Sequence, residues 1–227
     1  MNNKFRILAV DTCTSKCSVA ITEDNTVLYS KVLDMPRGHS EALFSMIEKA
    51  LEEANLDIDN IDAFACSVGP GAFTGIRVGI SSVKALSLAS GKPAIGVPSA
   101  EALIYELSDE KATLVALESK RKDVYWQLFD KNKKPINDMS LSLASDVAES
   151  LKDEELLVIG DGYKHFETLI SGAKFKSDFN YVLPENIAFV ALEYWNNNRE
   201  NIKCDPIYLR DADVSKPKKL IIPRIEK

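Results

Sequence analysis

The chain has 227 residues, of which 28 are Lys or Arg and 34 are Asp or Glu, giving a formal net charge of −6. That length suits one large domain or two small lobes with a core each, and two lobes are expected. The acidic balance excludes the broad positive field of an autonomous nucleic-acid binder, and no apolar run approaches the roughly 20 residues that span a bilayer.

Met1-Asn2-Asn3-Lys4 leads straight into a strand with no signal-peptide pattern, so a cytoplasmic protein without a membrane partner is expected. Phe5 to Asp11, Cys17 to Thr22 and Val27 to Val32 read as short strands, with Glu23-Asp24-Asn25 as the hairpin turn between the second and third. From Ser40 to Ala54 the residues Leu43, Ile47, Ala50, Leu51 and Ala54 recur at helical spacing, while Glu41, Glu48, Lys49, Glu52 and Glu53 leave a solvated side. Ile61 to Val68 is a buried strand, and Gly69-Pro70-Gly71 is a turn with little Cβ bulk. Thr74 is the expected N-cap of a helix running from Ile76 to Ser90. A glycine-flanked helix start favours either an anion or a closely approaching backbone, and the residues alone leave both open. Ala94 to Val97 then completes a βαβ unit with parallel strands.

Ser99 to Leu107 reads as a further helix, and Ser108-Asp109-Glu110-Lys111 is a charged break, so the expected lobes are residues 1–107 and 108–227. In the second, Thr113 to Leu117 and Val124 to Asp130 form a hairpin, followed by a helix near Ala144 to Leu151 and a strand Leu156 to Ile159 closed by Gly160-Asp161-Gly162. A last helix, Pro184 to Asn197, precedes an ordered linker from Asp205 to Val214 and a Lys/Pro-rich tail. The element order of the first lobe is echoed imperfectly in the second, which suits a duplicated α/β fold. The four cysteines, Cys13, Cys17, Cys66 and Cys204, lack the close pairs of a zinc site and are expected as reduced thiols without a redox role.

Gly69-Pro70-Gly71-Ala72-Phe73-Thr74-Gly75-Ile76-Arg77, preceded by Ala9-Val10-Asp11-Thr12 and followed by Gly91-Lys92-Pro93, resembles the TsaB (YeaZ) family. The likeness runs through Arg37-Gly38-His39-Ser40-Glu41 and Asp123-Val124-Tyr125-Trp126 to Pro206-Ile207-Tyr208-Leu209-Arg210. One departure is Glu118-Ser119-Lys120-Arg121, where the family usually has an acidic-Ala-Arg corner. The resemblance implies a two-lobed actin-like, sugar-kinase and Hsp70 ATPase fold, each lobe a mixed sheet with flanking helices. It also implies a role in making threonylcarbamoyladenosine beside the anticodon of tRNAs that read codons starting with A. The implied partners are a TsaD-type catalytic subunit, a TsaE-type ATPase and, through the complex, tRNA; ATP belongs to the partner complex and no cofactor to the isolated chain.

TsaD-like proteins carry two histidines four apart on the helix after the glycine-rich one, a spacing that suits one metal ion. Ser99 and Leu103 stand at those positions here, so no metal site and no catalytic residue is expected, although Glu101 remains between them. His39 and His165 have no second ligand in a recognisable spacing, and His39 reads as a capping or surface residue. No Gly-x-Ser-x-Gly elbow accompanies Ser67, Ser81 or Ser82, which argues against a hydrolase. Asp11, Thr12 and Thr14 fall where actin-like ATPases place a phosphate-facing turn, giving a candidate residual nucleotide site beside the plainer reading of a hairpin end. Gly160-Asp161-Gly162 is a second such candidate, or just a turn.

The helix over 75–90 is apolar on more than one side and must be covered twice. Ile76, Val78, Gly79, Ile80, Ser82 and Val83, joined by Ala42, Phe44 and Met46 of the preceding helix, are the expected surface for the TsaD-type partner and for a homodimer of the free chain. The motif-loop residues are Gly69, Pro70, Gly71, Thr74, Gly75 and Arg77. The tail Lys216-Pro217-Lys218-Lys219 with Arg224 reads either as a tRNA-phosphate contact or as a solvated terminus. The competing function is an independent enzyme of sugar-kinase-like or peptidase-like activity on the same fold.

Overall fold

A computed structural model describes residues 4–35, 38–108, 111–152, 154–197 and 203–210. Arg37, the break residues Asp109 and Glu110, and the basic tail with its tRNA reading lie outside the described residues.

The chain forms two five-stranded sheets. The first takes β1 (Arg6–Asp11), β2 (Lys16–Glu23), β3 (Thr26–Asp34), β4 (Ala63–Ser67) and β5 (Ala94–Val97) in the order β3-β2-β1-β4-β5. The hairpin partners β1, β2 and β3 run antiparallel, while β4 and β5 join in parallel through α1 (His39–Glu53) and α2 (Phe73–Ser90). After α3 (Ser99–Ile104) come β6 (Ala112–Glu118), β7 (Asp123–Phe129), β8 (Ser140–Leu143), α4 (Ala144–Ser150), β9 (Leu156–Ile159), β10 (Lys174–Phe175) and α5 (Pro184–Asn196). The second sheet has the order β10-β9-β6-β7-β8.

Central strands covered on both faces need an apolar interior, and β1 has one: Ile7, Leu8, Ala9 and Val10 are all fully buried between Arg6 and Asp11 at its ends. Their side chains alternate between two cores. Leu8 and Val10 meet Leu43, Ile47, Ile76 and Ile80 under α1 and α2, whereas Ile7 and Ala9 meet Leu103, Ile187 and Ala191 of α3 and α5 together with Val115 and Leu117 of the second sheet. The opposite face of that sheet, with Leu114, Ala116 and Val158, closes over Val147, Ala148 and Phe166. The layers therefore run α1 and α2, first sheet, α3 and α5, second sheet, α4. Burying each large apolar side chain in these layers contributes on the order of 1.5–3 kcal/mol.

This corrects the expected boundary at 107/108, because α5 and the segment after it return to the first lobe. Helix α5 packs along β1 and β2, Ser30 Oγ of β3 donates to Glu185 at 2.7 Å, and Ile207 N donates to Val68 O at 2.8 Å. A second correction concerns the start of α2: its N-cap is Ala72, without a side-chain capping bond, and Thr74 lies inside the first turn. The far end stops at Gly91 in the left-handed region, φ 69°.

Candidate functional site

The glycine motif is built to let backbone approach backbone. A Cβ on Gly75 would sit 1.8 Å from Thr12 O, and one on Gly71 would sit 2.4 Å from Cys13 O. Ala72 N donates to Cys13 O at 2.7 Å and Thr12 Oγ1 donates to Gly75 O at 2.7 Å, so the turn after β1 is bolted to the start of α2. Of the two occupants left open for this loop, the structure fills it with protein backbone.

That packing relocates the candidate nucleotide residues. Asp11 and Thr12 are buried inside the junction, and Thr14 alone of the three lines the cleft, its Oγ1 accepting from Lys16 N at 3.2 Å. Asp11 Oδ1 accepts from the Ser67 hydroxyl and from Cys13 N, while Oδ2 has no protein partner among the described residues. Burial pushes the Asp11 carboxyl above its usual range, outweighing those hydrogen bonds. Burial, followed by the neighbouring Asp11 charge, also raises the Cys13 thiol well above its ordinary value, which makes it a poor nucleophile.

Between the lobes lies a cavity of about 450 Å³. The first lobe supplies Cys13, Thr14, His39, Pro70 and Gly71, α3 supplies Ser99 and Leu103 one helical turn apart, and the second lobe supplies Glu118, Lys120 and Asp161. His39 opens α1, and its Nε2 lies 2.7 Å from Met35 O. His165, which has no partner in the sequence pattern, is 2.9 Å from Glu118 Oε2. Asp161 Oδ1 accepts from Glu118 N at 2.8 Å, and burial raises the Asp161 carboxyl. The spacing Ser81 to Lys84 has the form Ser-x-x-Lys, but Lys84 Nζ is held 2.8 Å from Asp205, and that hydrogen bond raises its pKa. A lysine kept protonated is no general base, so the pair does not form a serine nucleophile.

A second depression, about 460 Å³, runs between α1 and α2 and is lined by Ser40, Phe44, Phe73, Thr74, Arg77, Val78, Ser81 and Ser82. Of the expected partner-surface residues, Phe44 is 47% exposed, while Ala42 and Val78 are half-buried. Met46, Ile76, Gly79, Ile80 and Val83 do not face outward: Met46 and Ile80 are each 6% exposed and belong to the core of the first lobe. Ser82 is also buried but borders the groove. Farther along α2 the outward side carries Ala85, Ala89 and Leu88, the last 87% exposed.

The segment 203–210 supplies contacts that local sequence patterns do not announce. Cys204 Sγ lies 3.4 Å from Cys66 Sγ of β4, both as free thiols. Tyr208 stacks on Phe73 with ring centroids 4.9 Å apart, and Arg77 Nε donates to its hydroxyl at 3.0 Å. Arg210 pairs with Asp123 of β7 and holds that carboxyl below its usual range.

Two mixed sheets with flanking helices and a cleft between them make the two-lobed fold of the actin-like, sugar-kinase and Hsp70 type. The family model described as "TsaD: tRNA N6-adenosine threonylcarbamoyltransferase" matches residues 34–195. The chain is 33% identical over 135 residues to the tRNA threonylcarbamoyladenosine biosynthesis protein TsaB of Escherichia coli, a match spanning 58% of each chain. It is 32% identical over 168 residues to the protein of the same name from Buchnera aphidicola subsp. Schizaphis graminum, covering 70% of this chain and 79% of that one. The solved structure of YeaZ from Pseudomonas aeruginosa superposes with a TM-score of 0.77 at 26% identity, covering 90% of this chain and 100% of that one. The chain thus belongs to the TsaD-related family, in its TsaB (YeaZ) branch.

Proposed function

We propose that this chain serves tRNA threonylcarbamoyladenosine biosynthesis as a non-catalytic subunit that docks a TsaD-type threonylcarbamoyltransferase through the outer face of α1 and α2. The observation that carries this reading is the groove between those helices. Its apolar wall, Phe44, is half exposed, Leu88 stands almost fully in solvent on the same helix as the groove's other wall, and Ser81 and Ser82 leave room for another helix to approach. Family membership and the likeness to the TsaB proteins of threonylcarbamoyladenosine biosynthesis support the pathway and the modification.

In this reading docking orders the catalytic relative and completes a platform for a TsaE-type ATPase and tRNA, with ATP consumed by the complex. The same face pairs two copies when the chain is alone. Phe44→Asp and Leu88→Asp test it, since both side chains are exposed; Ile80 is unsuitable because a carboxylate in that buried position would unfold the lobe. Co-elution with a purified TsaD-type partner is expected to disappear in the Phe44→Asp variant while its thermal unfolding stays unchanged. Undiminished co-elution of both variants, or robust ATP turnover by the isolated chain, overturns the reading.

A further inference from the structure

Pro206-Ile207-Tyr208-Leu209-Arg210 is a motif that the docking reading leaves without a task, and its contacts give it one. The segment forms neither a helix nor a strand, yet it is tied from the residue before it onward: Asp205 to Lys84 Nζ at 2.8 Å, Ile207 N to Val68 O at 2.8 Å, and Arg210 to Asp123 of the second lobe. At its centre Tyr208 meets Phe73 and Arg77. The Arg77 guanidinium carbon lies 3.9 Å from the Phe73 ring centroid and 5.8 Å from that of Tyr208, with Nε donating to the Tyr208 hydroxyl at 3.0 Å. Phe73 and Arg77 also line the groove between α1 and α2, whereas Tyr208 lines the neighbouring depression against the second lobe and not the groove itself.

We propose that Tyr208 is a positioning residue of the docking face: it fixes the Arg77 guanidinium over the Phe73 ring at the groove wall, so that the remaining donors of the fork receive a carboxylate from the partner helix. This rests on the docking reading above. An unrestrained arginine samples many rotamers, and each must be given up on binding; one already stacked and hydrogen-bonded through Nε presents its remaining donors in a planar fork suited to a carboxylate. Arg77 is the one charged side chain among the groove's described lining residues, set beside apolar Phe44, Phe73 and Val78 and the hydroxyls of Ser40, Thr74, Ser81 and Ser82, so a fixed cation there selects a partner helix with an acidic residue.

The test is a double-mutant cycle read by calorimetric affinity for the purified TsaD-type partner, with thermal unfolding recorded for every variant. Arg77→Lys keeps the charge without the planar fork and is expected to weaken docking by about tenfold. Tyr208→Ala is expected to weaken it by a similar factor in the native background and by less than about twofold in the Arg77→Lys background, since it acts through Arg77. Tyr208→Phe keeps the stacked ring, loses the hydroxyl and falls between. It also carries the test if Tyr208→Ala unfolds: its effect is expected to vanish in the Arg77→Lys background. Equal losses in the two backgrounds, or native affinity in both Tyr208 variants, overturn the proposal. Phe44→Asp separates the two levels: if it leaves affinity intact, the docking reading itself falls, whereas its loss alongside unaffected Tyr208 variants removes only the role given to Tyr208.

Discussion

The two sheets share one plan up to their fourth strand and part company immediately after it. In each, three strands are joined antiparallel and two more are added in parallel on the other side of the first. The turn after β4 begins with Gly69 at φ 98° and the turn after β9 with Gly160 at φ 96°. Each turn then reaches back to the central strand or the turn just beyond it, Ala72 N donating to Cys13 O at 2.7 Å and Gly162 N to Ala116 O of β6 at 3.0 Å. Beyond that point the first lobe continues into the 18-residue helix α2, and the second makes only a three-residue 3₁₀ turn, Tyr163–His165. A long helix is therefore not required to hold the turn on its sheet. What α2 adds, besides the buried Ile76, Ile80 and Val83, is surface: the wall of a groove, the Phe73–Arg77 pair and the exposed Leu88.

The close backbone approach in the two lobes can be broken most directly by adding a Cβ at each contact. Gly75→Ala would place that atom 1.8 Å from Thr12 O, and Gly160→Ala would place it 2.0 Å from Ala116 O in a left-handed backbone. Both are expected to cost roughly 3 kcal/mol or more, measured by denaturant unfolding, whereas Gly172→Ala, with no atom within 4 Å, is expected to be neutral. A tolerated Gly160→Ala would show that only the first lobe depends on the close approach.

The junctions also differ in charge state, which pH sharpens. Asp11 has its folded pKa raised above 3.8 by burial, so its favourable contribution is full below that value and is lost as pH rises through the folded pKa. Asp11→Asn keeps an acceptor for Ser67 and Cys13 and is expected to flatten the fall in thermal midpoint over that rise. An unchanged slope would mean another group controls it. At the interlobe tie the sign reverses. Asp123 is held below 3.8 by Arg210, so its contribution is present above the ordinary value and lost as pH falls through the folded one. Asp123→Asn is expected to cost about 1 kcal/mol or less at neutral pH, with the difference from the native chain vanishing on acidification. The smallest effect is expected at Lys111–Glu155, 2.6 Å apart with the carboxylate 83% exposed: Glu155→Ala should leave the thermal midpoint indistinguishable from that of the native chain.

Much of the first lobe was legible because its periodicities are strong: the β1–β3 meander and the βαβ unit follow from residue type and spacing, whereas the glycines alone left an anion and a closely approaching backbone both open. Met46 was legible too and was misassigned, since Leu43, Met46, Ile47 and Ala50 are spaced as one buried stripe. The sheet partner of α5 was not. Its residues Ile187, Ala188, Val190, Ala191 and Leu192 announce burial on more than one side, yet nothing in their spacing names the sheet they cover. The short strands β8 and β10 are set by pairing with β7 and β9 rather than by their own composition. For the candidate site, the strand-turn-helix order around the glycine loop was readable, but the ties of Tyr208 to Arg77 and of Cys204 to Cys66 join residues 131 and 138 apart in sequence, where local patterns carry no information.

The return of α5 to the first sheet gives synthesis on the ribosome a fixed order. The side of β1 bearing Ile7 and Ala9 is finished only by residues that emerge after the whole of the second sheet. A nascent chain thus carries one uncovered greasy surface through most of its translation, and during that interval it is a natural client for chaperones.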